Sequence, residues 1–180
     1  MKELSLNLLD IAENSVSAGA SLVELTVRES VSEDRVVIAV KDNGKGMTPE
    51  FLARVTDPFT TTRTTRPVGL GLPLLRMEAE MTGGSLDIQS EVGRGTEVSA
   101  EFVRSHIDMP PIGDTTGTVT TLVQGNPEID FIYRRITDKG EFIFSTAEVR
   151  EELGGIPLDE PEIIVWISEF ISENERELEL

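Results

Sequence analysis

The chain has 180 residues, enough for one domain with an appendage and for a buried core. It carries 33 acids against 16 bases, a net charge of −17, which argues against partners such as nucleic acid or an anionic membrane. With no cysteine and one histidine, it excludes disulfides, thiolate nucleophiles, cysteine-ligated metals and multi-histidine sites, and a reducing cytoplasm is the expected setting.

The opening Met1-Lys2-Glu3 runs straight into a helical pattern with acids in it, unlike a signal peptide. No apolar run approaches the roughly 20 residues that cross a bilayer. Leu4, Leu8, Ile11 and Ser15 recur at helical spacing, as do Leu9, Ala12 and Val16. Gly19 suits a left-handed stop for that helix. Residues 22–28 and 35–41 read as strands, the second apolar from Val36 to Val40. Thr48 caps a short helix with Pro49 at its first position. Residues 56–68, full of Thr, Arg and Pro, read as a loop. Leu70, Leu74, Met77 and Met81 predict a helix that Gly83-Gly84 stops, and strands follow near 85–90 and 96–103. This order predicts an α+β fold for residues 1–106: a two-layer α/β sandwich, its sheet mixed but mainly antiparallel, with helices on one face.

The composition then shifts. Residues 107–117, rich in Pro, Gly and Thr, read as a linker. Residues 1–106 hold 16 acids and 11 bases, whereas 107–180 hold 17 and 5, so the surplus of acid is concentrated in the tail. Residues 118–180 read as a small acidic α+β domain without an assigned role. Strands are expected near 118–124, 130–136 and 141–145, with Asp138-Lys139-Gly140 turning between the last two. Ser145 with Glu148 reads as a capping box, and Gly154-Gly155 as the stop of that helix. Asp159 with Glu162 starts a final helix whose Ile163, Trp166, Ile167 and Phe170 share one side, a face expected to pack on the hairpin and not to be offered to a partner. From Glu173 the chain is expected to fray.

Four local patterns carry chemistry. Asn7, Asp10, Asn14 and Ser17 form one polar stripe on the first helix. The ordinary reading is a solvated face; the sharper one gives Asn14 to a hard metal such as Mg2+, with Asp10 one turn earlier orienting water. Asp42-Asn43-Gly44-Lys45-Gly46-Met47 reads either as a turn or as a strand-end carboxylate beside glycines that admit a ligand. Gly69-Leu70-Gly71-Leu72 opens a helix, where free N–H groups bind phosphate, and Arg63 and Arg66 precede it. Gly93-Arg94-Gly95-Thr96 alone is a hairpin loop.

Taken in order, these patterns resemble the GHKL superfamily of ATP-binding domains. Residues Leu9 to Ala20 resemble its N box, with the Glu-Asn-Ser…Ala-Gly-Ala cadence closest to MutL proteins. Residues Asp42 to Met47 resemble the first glycine box and Asp57 to Arg63 the F box of histidine kinases. Residues Gly69 to Leu72 and Gly93 to Thr96 resemble the second and third glycine boxes. The resemblance covers about residues 4–103 and implies the Bergerat fold, with ATP between helices and sheet. By it, Asn14 would hold Mg2+ and Asp42 the adenine amine, with Gly44, Gly46, Met47 and Thr96 around the base. Residues near 56–68 would form an ATP lid packed by Phe59. Gly69, Leu70 and Gly71 would receive the phosphates and Arg63 would contact them.

Three departures bear on the activity. Superfamily hydrolases carry Glu as general base where Asp10 stands here, a methylene shorter. Pro67 occupies a position that is glycine in many kinases. The sequence opens on the N box, so the helical hairpin bearing an acceptor histidine is expected to be absent. His106, with Ile107 beside it, reads as a linker residue. Three functions stay open: a partner-dependent kinase resembling anti-sigma factors, with Asp10 and Arg63 as catalytic groups and a protein carrying the acceptor; an ATP-hydrolysing switch of the MutL or gyrase type; and an interaction module that binds ATP without turnover and docks through its acidic tail, whose charge suits a basic partner surface or simply solubility. A homodimer is compatible with each.

Overall fold

A computed structural model describes residues 3–57 and 71–180. Helix α1 (Leu4–Ser17) is followed by strands β1 (Leu22–Ser30) and β2 (Arg35–Asp42). The short helix α2 (Pro49–Leu52) and helix α3 (Gly71–Met81) precede β3 (Ser85–Glu91) and β4 (Gly95–Val103). Then come α4 (Thr115–Gly125), β5 (Asp130–Thr137), β6 (Gly140–Ser145), α5 (Thr146–Leu153) and α6 (Pro161–Glu177).

All six strands belong to one sheet, in the order β3-β4-β2-β1-β5-β6. Every pairing is antiparallel except β1 with β5. Alternation along the strands buries Val23, Leu25 and Val27 of β1, Val36, Ile38 and Val40 of β2, and Val98, Ala100 and Phe102 of β4. Helices α3, α1, α4 and α6 lie side by side in that order. Leu4, Leu8 and Ala12 of α1, Leu75 of α3, Val119 and Val123 of α4, and Ile167 of α6 join these strands in one continuous core. The mixed, mainly antiparallel sheet and the expected strands at 22–28, 35–41, 85–90 and 96–103 are therefore observed.

The tail differs from expectation in three respects: the organisation of residues 107–145, the helix starts and the C-terminal end. The strand expected at 118–124 is helix α4. Its Thr- and Val-rich sequence favours a strand locally, but β5 lies parallel to β1, and parallel strands need a long crossover. Asp114 caps the helix by accepting from the Gly117 N–H, and the Thr118 hydroxyl donates to the carbonyl of Ser5 on α1. The expected 107–117 linker also carries structure: the carbonyls of Pro111 and Ile112 accept from the Leu4 and Ser5 amides. Residues 130–145, read from sequence as part of a small domain, supply β5 and β6 of the same sheet.

The second difference lies at helix starts. Ser145 occupies the N-cap of α5 but makes no capping bond; the neighbouring Thr146 hydroxyl instead receives the Phe131 amide at 2.8 Å. Helix α6 begins at Pro161 behind Glu160, not at Asp159. The third is the expected fraying beyond Glu173, which does not occur. Helix α6 continues to Glu177 because Glu175 accepts hydroxyl bonds from Thr115 at 2.7 Å, Thr116 at 3.2 Å and the buried Tyr133. Leu178 is buried just past its end. Among the described residues, no helix is long and apolar enough to cross a membrane.

Candidate functional site

The sheet register sets Asp42, Thr96 and Ser90 side by side across β2, β4 and β3, at one end of the helix-covered face. Asp42 is half-buried there and its carboxylate is fixed on both oxygens. Oδ2 accepts from the Ser15 hydroxyl of α1 at 2.6 Å. Oδ1 accepts from the Gly44 amide at 2.8 Å and the Thr96 amide at 3.3 Å. A carboxylate offers about four acceptor positions, so three donors leave room for one more, such as a ligand N–H.

Backbone packing around this carboxylate demands glycine. A Cβ on Gly46, whose φ is +72°, would sit 2.0 Å from the Glu91 carbonyl oxygen. A Cβ on Gly95 would sit 1.9 Å from the Asp42 carbonyl oxygen. Gly44 is buried against Ala18. The loop is pinned by the Lys45 amide on the Ala18 carbonyl at 2.9 Å and the Gly93 amide on the Lys45 carbonyl at 2.8 Å. The Met47 amide donates to the Ser90 hydroxyl at 2.8 Å, and Ser90 is 2.8 Å from the Thr96 hydroxyl. Asp42, Gly44, Gly46, Met47 and Thr96 are thus brought together.

Three contributors to this cradle, Ser15, Ser90 and Gly95, are absent from the set proposed from sequence. Ser15 had a legible signal, a hydroxyl at helical spacing among Leu4, Leu8 and Ile11. Ser90 had none, because only the β3–β4 register places it beside Thr96.

The polar stripe of α1 is graded rather than uniformly solvated. Asn7 is buried and its amide donates to Glu78 of α3 at 3.3 Å, Asp10 is half-buried, and Asn14 and Ser17 are exposed. Burial pushes the Asp10 carboxyl above its ordinary value. A Cβ on Gly71, the first residue of α3, would lie 2.3 Å from Asp10 Oδ2, so the glycine admits the carboxylate to the helix start. Asn14 stands in the last turn of α1, immediately before the Ser15 that grips Asp42. Among the described residues, no three His, Cys, Asp or Glu side chains cluster as metal ligands. His106 is half-buried, its Nδ1 accepting the Asp108 amide at 3.1 Å. Phe59, Arg63, Gly69 and Leu70, with Arg66, Pro67 and most of the expected lid, lie outside the described residues.

A family model described as "Histidine kinase-, DNA gyrase B-, and HSP90-like ATPase" matches residues 1–106. The sensor protein SrrB of Staphylococcus aureus (strain NCTC 8325 / PS 47) is 38% identical over 101 residues. That alignment takes in 53% of this chain but only 17% of SrrB. Among solved structures, the N-terminal domain of a DNA repair protein superposes with a TM-score of 0.57 at 17% identity, over 79% of this chain and 52% of the other. The Aquifex aeolicus MutL ATPase domain, complexed with ADP, superposes with a TM-score of 0.50 at 17% identity, over 85% and 68%. These two show likeness of fold.

Proposed function

The chain belongs to the histidine kinase-, DNA gyrase B- and HSP90-like ATPase family, and from that premise we propose that it binds Mg-ATP in the cytoplasm and passes the γ-phosphoryl group to a partner protein. The observation that carries the nucleotide reading is Asp42, its carboxylate held by Ser15, Gly44 and Thr96 inside a glycine-walled cradle. Its remaining acceptor position suits the exocyclic amine of adenine. Gly44, Gly46, Met47 and Thr96 would border the base, with Phe59 packing a lid over the nucleotide. Gly69, Leu70, Gly71 and the α3 N-terminus would face the phosphates, where aligned amides favour negative charge.

The donor set fits Mg2+. This ion keeps several waters and binds through few protein ligands plus substrate phosphates, so the exposed Asn14 amide oxygen would be its protein ligand, with no cluster of acids among the described residues. When bound it supplies positive charge against the phosphate oxygens. Asp10 would be the proton acceptor. Its carboxyl is pushed up by burial, and it lies at the start of α3, where the phosphates would end. In the transfer, a hydroxyl oxygen of the partner attacks the γ-phosphorus and its proton goes to Asp10. The bond to the β–γ bridging oxygen breaks and ADP leaves. Arg63 would steady the charge on the transferred group.

Calorimetric titration of ATP, with and without Mg2+, on wild type and Asp42→Asn tests this. The reading expects Mg2+-dependent binding, weakened at least about tenfold by Asp42→Asn, and slow phosphate release without a partner. Absence of ATP binding would sink it. Brisk phosphate release by the isolated chain would favour the hydrolytic switch instead.

A further inference from the structure

We propose that the outer face of α6 docks a basic, arginine-bearing segment of another protein, one guanidinium stacking on Trp166. The inference goes beyond the nucleotide reading and uses none of its residues. Trp166 and Phe170 lie one turn apart, with ring centroids 5.2 Å apart and planes 8° from parallel. Phe170 is in turn fixed from below by Phe142 at 5.6 Å and Phe144 at 6.4 Å, both on β6. The stack is therefore a platform anchored to the sheet. Yet Trp166 remains 47% exposed and Phe170 36% exposed, with Val165 at 56% beside them.

The flanking charge identifies the occupant. Helix α6 buries Ile167 and Ile171, so its helical period turns Glu162, Glu169 and Glu173 to solvent on the same side as Trp166. None of these three acids forms an ion pair with another described residue, Arg176 included. Glu169, Glu173 and Glu177 follow one another a turn apart, with Arg176 the one base on the helix. An exposed indole face bordered by carboxylates outside any described ion pair favours a cation. Arginine fits best, because its plane stacks on the ring while its fork reaches the carboxylates. A second copy of this chain would bring the same glutamates face to face at a net charge of −17 each, and nucleic acid or anionic lipid is repelled likewise.

Trp166 is the single tryptophan of the chain, so its emission reads this face directly. The full chain is titrated with an acetylated peptide of repeating Arg-Ala-Leu, and with the same peptide carrying lysine or glutamate in place of arginine. The expected result is a saturable change in Trp166 emission with the arginine peptide, and none with the glutamate peptide. Affinity should fall about tenfold in the Glu162→Gln/Glu169→Gln/Glu173→Gln variant, and several-fold with the lysine peptide. The three positions are exposed, and an unchanged thermal melt verifies that the variant folds. The proposal is overturned if emission does not respond, if the triple variant binds as wild type does, or if lysine serves as well as arginine. A shift in emission with protein concentration alone would overturn it in favour of self-association.

Discussion

Asp10 is a carboxylate that the fold holds under mild stress, half-buried and pressed close to the first glycine of α3. Its raised pKa means the folded protein holds the proton more tightly than the unfolded chain does. Its contribution to stability is therefore full below the ordinary value of 3.8 and is lost as pH rises through the folded-state value. Asp10→Asn should accordingly raise the melting temperature at pH 7, and the gain should vanish below pH 3.8, as thermal melts across pH will show. The same substitution should abolish phosphoryl transfer while sparing ATP affinity. Gly71→Ala offers a complementary test. Its added Cβ meets the far end of the Asp10 side chain, not backbone, so the fold should survive while the carboxylate is displaced. Because Gly71 would also face the phosphates, we expect turnover and ATP affinity both to fall, turnover by about tenfold or more, measured as kcat and Kd.

Between elements, the decisive contacts are polar groups buried among apolar ones. Glu175 joins α6 to α4 and β5 through the hydroxyls of Thr115, Thr116 and Tyr133. Burial and the nearby Glu175 charge push the Tyr133 hydroxyl far above its ordinary pKa, so it stays a donor. Glu175→Gln keeps one acceptor but loses the charge and unpairs a donor; chemical denaturation should report a loss of about 1–3 kcal/mol. Helix α4 carries the clearest conflict between local preference and observed structure. Its threonines favour a strand, yet Thr120 turns its hydroxyl back to the Thr116 carbonyl at 3.0 Å and Thr118 to that of Ser5, which satisfies them within a helix. No window of sequence reveals that Ser5 is the neighbour, 113 positions away. By contrast, the stop of α1 at Gly19, at φ +78°, and the Thr48 cap on the Phe51 amide are local and were legible.

For the whole molecule, the tail acts as a continuation of the sheet. Strand β1 would become an edge without β5, and the Leu4 and Ser5 amides at the start of α1 would lose the carbonyls of Pro111 and Ile112. Phe131 and Tyr133, both fully buried, would leave the core. A chain cut after His106 should therefore lose its cooperative thermal transition in circular dichroism. A cooperative melt with ATP binding retained would instead make residues 1–106 an autonomous unit.

The described part of residues 1–106 was readable because its information is short-range. Apolar periods fixed α1 and the four strands, and glycines that cannot accept a Cβ, such as Gly46, marked close backbone approaches. The boxes around Asn14, Asp42 and Thr96 were recognised by resemblance to a family, from their order and spacing. Other features depended on long-range partners. Ser15 and Ser90 join Asp42 and Thr96 only through the packing of α1 and the β3–β4 register. The parallel pairing of β5 with β1 links residues more than a hundred positions apart, and 115–125 forms a helix in the connection that leads to β5. Likewise the acidic end of α6 is ordered because Tyr133 and two threonines of α4 donate to Glu175, contacts that the composition of that segment cannot express.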